Sequence, residues 1–118
     1  MRTWVYNPHV GGTKVPLAVR RRTEQRIRDY AQANYRGKFN RLEVRFRGAL
    51  CYVDAYVDDY PNPNFPLHLC RLRYFRDDLW SMAFYTYSNE KYEPCVFRDG
   101  TFLGTPEEAF EVSSGYLH

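Results

Sequence analysis

The side chains in this sequence able to do acid–base, nucleophilic or metal chemistry are few: His9, His68, His118, Cys51, Cys70, Cys95 and an aspartate, Asp54, set between Tyr52 and Tyr56. His68 and Cys70 stand two apart, which on a regular strand places both on one face. Cys70 could then act as a nucleophile with His68 as its base, or the pair could join Cys51 and Cys95 around zinc. The spacing weighs against zinc, because structural sites draw two ligands from a close Cys pair and none exists here. Nor does either position look like the turn or helix start that lowers a thiol pKa. Cysteine inside a strand is ordinarily a small buried hydrophobe. For Asp54 the structural reading is an ion pair with an arginine, and the functional one is a carboxylate whose pKa such a neighbour shifts. Gly11-Gly12-Thr13-Lys14, ahead of a helix, invites a phosphate-cradle reading, but the full Gly-rich loop pattern is missing and a flexible lead-in is the better expectation. No catalytic set, metal or cofactor is therefore assigned.

These residues need elements to position them. A helix is expected between Pro16 and Gly37, since Val19, Thr23, Ile27, Tyr30, Ala31 and Asn34 recur at the helical period. From Arg41 the period becomes two. Leu42, Val44 and Phe46 alternate with charged residues, and strands follow over 50–57, 67–75, 79–87 and 92–97. The three prolines between Asp58 and Pro66 exclude helix or central strand and predict a surface loop. A short edge strand is expected around Trp4 and Tyr6. Asp99-Gly100 predicts a two-residue hairpin turn into Thr101-Phe102-Leu103. Thr105-Pro106-Glu107-Glu108 reads as a capped helix start. The expectation is one α+β domain over residues 1–118: an N-terminal helix packed on an antiparallel meander sheet of four to six strands, then a short C-terminal helix.

Alternation divides the sheet into two faces. With Val44, Phe46, Cys51, Val53, Cys70, Leu72, Trp80, Met82 and Phe84 toward the helix, the other face collects Arg45, Arg47, Tyr52, Asp54, Tyr56, Arg71, Arg73, Tyr85 and Tyr87. A solvent face ordinarily favours Thr, Lys and Glu. Arginine forks onto phosphate or carboxylate and tyrosine stacks on flat rings, so this face suits an anionic small molecule or nucleic acid. The same residue types are enriched in protein interfaces, which points to a homodimer, and internal packing around an Asp54–arginine pair would also account for them.

Charge is unevenly spread. Residues 1–48 hold 12 Lys/Arg against 3 acids, +9; with 17 bases and 14 acids in all, the remainder holds 5 against 11, −6. Such a split favours an anionic partner for the first half or pairing between the halves. For Arg20-Arg21-Arg22 a solvated helix face is favoured over a nucleic-acid contact. Three cysteines and no hydrophobic leader predict a reduced, cytoplasmic protein, and no apolar run approaches the ~18 residues of a membrane-spanning helix.

The runs FRGALCYVDAY (46–56), HLCRLRYF (68–75) and FYTYSNEKYEPCVFRDGTFLGTPEEAF (84–110), with YNPH near the start, resemble small stand-alone bacterial proteins of unknown function, a type also found as mobile gene cassettes. The resemblance implies no activity and no site residues. The leading expectation is a non-catalytic binding or interaction module that works through the Arg/Tyr face as a homodimer. A small nucleic-acid-binding protein comes second, and a small enzyme with its site around Asp54 or the His68/Cys70 pair third.

Overall fold

In a computed structural model, residues 11–58 and 65–117 are described. The expected edge strand around Trp4, the YNPH run, His9, His118 and most of the Pro-rich loop lie outside them. The helix runs Leu17–Asn34 (α1), with Pro16 as its N-cap residue and Tyr35 as its C-cap. Its buried side chains, Thr23, Ile27 and Ala31, recur every four residues, one stripe of the helix.

Five strands follow: Arg41–Arg47 (β1), Leu50–Tyr56 (β2), Leu67–Arg76 (β3), Leu79–Thr86 (β4) and Lys91–Cys95 (β5). Each pairs antiparallel with its chain neighbour, in the order β1-β2-β3-β4-β5, so the meander is as expected and the strand number is five. The connections explain themselves locally. Gly48 turns β1 into β2 at φ +59°, in the left-handed region that glycine enters without strain. Asp78, at φ +58°, closes the turn between β3 and β4, and aspartate tolerates that conformation better than most residues. The closing helix Pro106–Ser113 (α2) starts on a full capping box, with Thr105 Oγ1 accepting from Glu108 N–H at 3.2 Å and Glu108 Oε1 accepting from Thr105 N–H at 2.8 Å.

Both helices lie on the sheet face that carries Cys51, Val53, Leu72 and Met82. There Ile27 and Ala31 of α1 meet Ala109 and Phe110 of α2 in a single core with Trp80. The fold is thus α+β, and among the described residues the helices form one layer.

Three expectations are corrected. The lead-in is docked: Thr13 N–H donates to Tyr74 O at 2.8 Å and Val15 N–H to Gly48 O at 3.0 Å, and Val15 is buried. Those amides are spent on the sheet, so they cannot cradle a phosphate. Gly12 is required there, since a Cβ on it would stand 2.7 Å from Tyr74 O.

The Asp99-Gly100 turn forms, with Phe97 O accepting from Gly100 N–H and Phe97 N–H donating to Thr101 O, both at 2.8 Å, but among the described residues no strand follows it. Asp99 Oδ1 accepts from the Thr101 hydroxyl at 2.7 Å, and the chain then returns to β4 only as a single bridge, Gly104 to Trp80. The reason is Phe97, which leaves the strand to join the core. Its ring lies 2.8 Å from where a Gly104 Cβ would stand.

Third, β3 is not regular. Val53 pairs with Cys70 but Asp54 pairs with His68, which leaves Leu69 as an extra residue in a β-bulge. The bulge reverses the facing of everything before it, so His68 and Cys70 are on opposite faces.

Candidate functional site

The face away from the helices carries, by register, Arg41, Glu43, Arg45 and Arg47 of β1, Tyr52, Asp54 and Tyr56 of β2, His68, Arg71 and Arg73 of β3, Ser81, Ala83 and Tyr85 of β4 and Tyr92 of β5. Five arginines stand against two carboxylates, a surplus of three positive charges.

At its centre Asp54 is 1% exposed. A buried carboxylate must be compensated. Arg45 Nη2 donates to Oδ2 at 3.0 Å, and His68 Nδ1 bonds Oδ1 at 2.9 Å. Burying Asp54 thus fixes both a half-exposed arginine and the plane of an imidazole.

Aromatic rings surround the imidazole. Tyr85 stands 4.7 Å from it centre to centre, Tyr92 6.2 Å and Tyr87 6.4 Å, with the Tyr87 ring nearly parallel to it. The His68 backbone N–H donates to the Tyr87 hydroxyl at 3.0 Å. Tyr92 also meets Tyr85 at 5.1 Å and Tyr52 at 5.7 Å, edge to face, the geometry aromatic quadrupoles prefer. Arginines lie over two rings of this track, Arg45 at 5.0 Å from the Tyr52 ring centre at one end and Arg71 at 5.3 Å from that of Tyr92 in the middle. Burial, with the Asp54 charge second, pushes the Tyr92 hydroxyl up, so it stays neutral.

Beyond Tyr52, at the end of β1, an open concavity of about 690 Å³ is lined by Arg45, Phe46, Arg47 and Tyr52.

The nine residues expected on this face are therefore not equivalent. Arg45, Tyr52, Asp54, Arg71, Tyr85 and Tyr87 join one cluster, and Arg47 borders it at the concavity. Tyr56 lies under a different arginine, Arg41, at 3.9 Å. Arg73 reaches away to the Gly11 carbonyl at 3.2 Å. Ser81 and Ala83, between the arginines and β5, are buried.

Sequence reasoning missed Tyr92 and Arg41 on this face, and it singled out His68 but put it on the opposite face with Cys70. For His68 a signal existed: Leu69 and Cys70 are consecutive apolar residues that interrupt the alternation of the strand, which is how a bulge reads in sequence.

The bulge also removes the His68/Cys70 pair as a catalytic or metal unit. Cys70 faces the core, and burial pushes its thiol up to about 12; burial raises Cys51 well above the ordinary thiol value too. Among the described residues no three His, Cys, Asp or Glu side chains converge as a metal site needs. On the helical side a smaller pocket of about 310 Å³ opens between the sheet and α2, lined by Phe84, Cys95, Val112, Ser113 and Gly115.

No protein-family model matches this sequence, and no curated protein or solved structure matches it either.

Proposed function

We propose that this protein is a non-catalytic binding module whose Arg/Tyr face takes single-stranded nucleic acid. One observation carries the reading: the sheet face that neither described helix covers is a connected track of rings, Tyr52, Tyr92 and His68, whose cations outnumber its carboxylates. Flat bases stack on such rings at little cost in sequence preference, and arginines beside them meet the phosphates. Arg47 fits the second role best, because it is exposed at the rim of the concavity beside Tyr52.

The basic helix is a weaker candidate for the contact. Arg22 is held by Asp77 at 3.1 Å, and Arg26 by Asp78 at 2.6 Å and Glu107 at 2.7 Å. Self-association through the sheet face has a cost of its own, since a two-fold dimer would set the five arginines of one copy against those of the other.

The test is fluorescence anisotropy of a labelled single-stranded oligonucleotide at several salt concentrations, with light scattering on the same samples. Binding should weaken steeply with salt, and Arg47→Ala should lower the slope of log affinity against log salt by about one. A salt-insensitive dimer that takes up no oligonucleotide would replace this reading with self-association.

A further inference from the structure

His68 does more than add a ring to the track. A carboxylate already held by an arginine can only accept hydrogen bonds, so the proton shared by Asp54 Oδ1 and His68 Nδ1 belongs to the histidine. Of the two tautomers of the uncharged ring, that contact selects the one with its proton on Nδ1 and Nε2 as the acceptor. The His68 side chain is 28% exposed, and among the described residues nothing hydrogen-bonds Nε2. Around the ring are the phenols of Tyr85, Tyr87 and Tyr92.

We infer that Nε2 of His68 is the point at which this face reads its ligand, accepting a hydrogen bond from a donor on the nucleotide, either the ribose hydroxyl or a base N–H. The inference rests on the nucleic-acid reading above and adds what the arginines cannot supply. They hold phosphate alike in RNA and DNA and for every base, whereas one fixed acceptor selects. Asp54 is the positioning residue, acting on the ligand only through the tautomer it imposes.

Asp54→Asn makes that role visible. The amide carries one oxygen and one NH₂ group, and the oxygen goes to the charged Arg45. The NH₂ group then faces His68 Nδ1 and turns it into an acceptor, which moves the ring proton to Nε2. The ligand's donor now meets a donor.

The experiment compares short oligouridylate, oligodeoxyuridylate and an oligomer of N3-methyluridine, binding the parent protein, Asp54→Asn and His68→Phe. The parent should bind oligouridylate about five- to tenfold more tightly than whichever oligomer lacks the donor, the worth of one hydrogen bond. Loss with the deoxy oligomer identifies the ribose hydroxyl, and loss with the methylated one identifies the base. Both variants should erase the preference while keeping the salt dependence that the arginines supply. Should either variant fail to fold, ¹⁵N NMR of the parent still decides: the His68 proton should sit on Nδ1 at neutral pH, and the Nε2 resonance should move when oligouridylate is added.

A proton found on Nε2, equal affinity for all three oligomers, or an unchanged preference in His68→Phe overturns the inference and leaves the Arg47 result standing. Absence of any salt-dependent oligonucleotide binding by the parent overturns both.

Discussion

Burial sorts the three thiols. Cys51 and Cys70 are fully enclosed in the core, while Cys95 lies partly open on the edge strand beside the small pocket. A thiol reacts as its thiolate, and burial holds Cys70 up to about 12. Its folded value therefore stays well above the range in which an unfolded thiol titrates. Raising the pH to about 9 should accelerate labelling of the unfolded chain but leave Cys70 silent in the native one. Maleimide labelling read by mass spectrometry should give one modified site in native protein, Cys95, and three after urea. Rapid native labelling of Cys70 would contradict this burial. The strand alternation already placed Cys51 and Cys70 inside. It could not show that Asp54 pairs with His68 rather than with arginine alone, because that contact needs the register between β2 and β3, and two strands alone do not specify it.

Among the elements, legibility followed local determination. The helix start at Thr105 was readable because a capping box is written within four residues, and both of its hydrogen bonds form. Thr105→Ala should cost about 1 kcal/mol, seen as a lower urea midpoint at unchanged slope. A smaller loss would mean that packing of Phe110 alone holds α2. The turn at Asp99 was equally local and correctly placed, yet what followed it was set from afar by Phe97, whose ring needs the core more than β5 needs a sixth strand beside it. The bulge at Leu69 is intermediate. Two adjacent apolar residues announce it, but the face that each neighbour then takes depends on the partner strand. One inserted residue thus decides whether the imidazole meets the core or the tyrosines.

Across the molecule, the charge asymmetry noted in the sequence is met in part within the chain. Arg22 and Arg26 of α1 reach Asp77, Asp78 and Glu107 of the second half, and Tyr30 donates to Glu111 at 3.2 Å. Glu107 first, and then Asp78, stabilise the charge on Arg26 against the cost of its partial burial.

That arrangement has a kinetic side. The strands of the sheet pair only with sequence neighbours, so each closes a short loop, whereas α1 meets α2 across most of the chain. Loop-closure entropy makes near contacts form early and distant ones late. The meander is thus expected to collapse as a nucleus, with the two helices docking after the rate-limiting barrier. Arg26→Ala, which cuts one charged link between them, should raise the unfolding rate several-fold and leave the folding arm of the chevron nearly unmoved. A slowed folding arm would instead place helix docking inside the nucleus. If the helices do dock last, they also leave first, and the salt-sensitive clasp between α1 and α2 becomes the latch that sets how long a native molecule lasts.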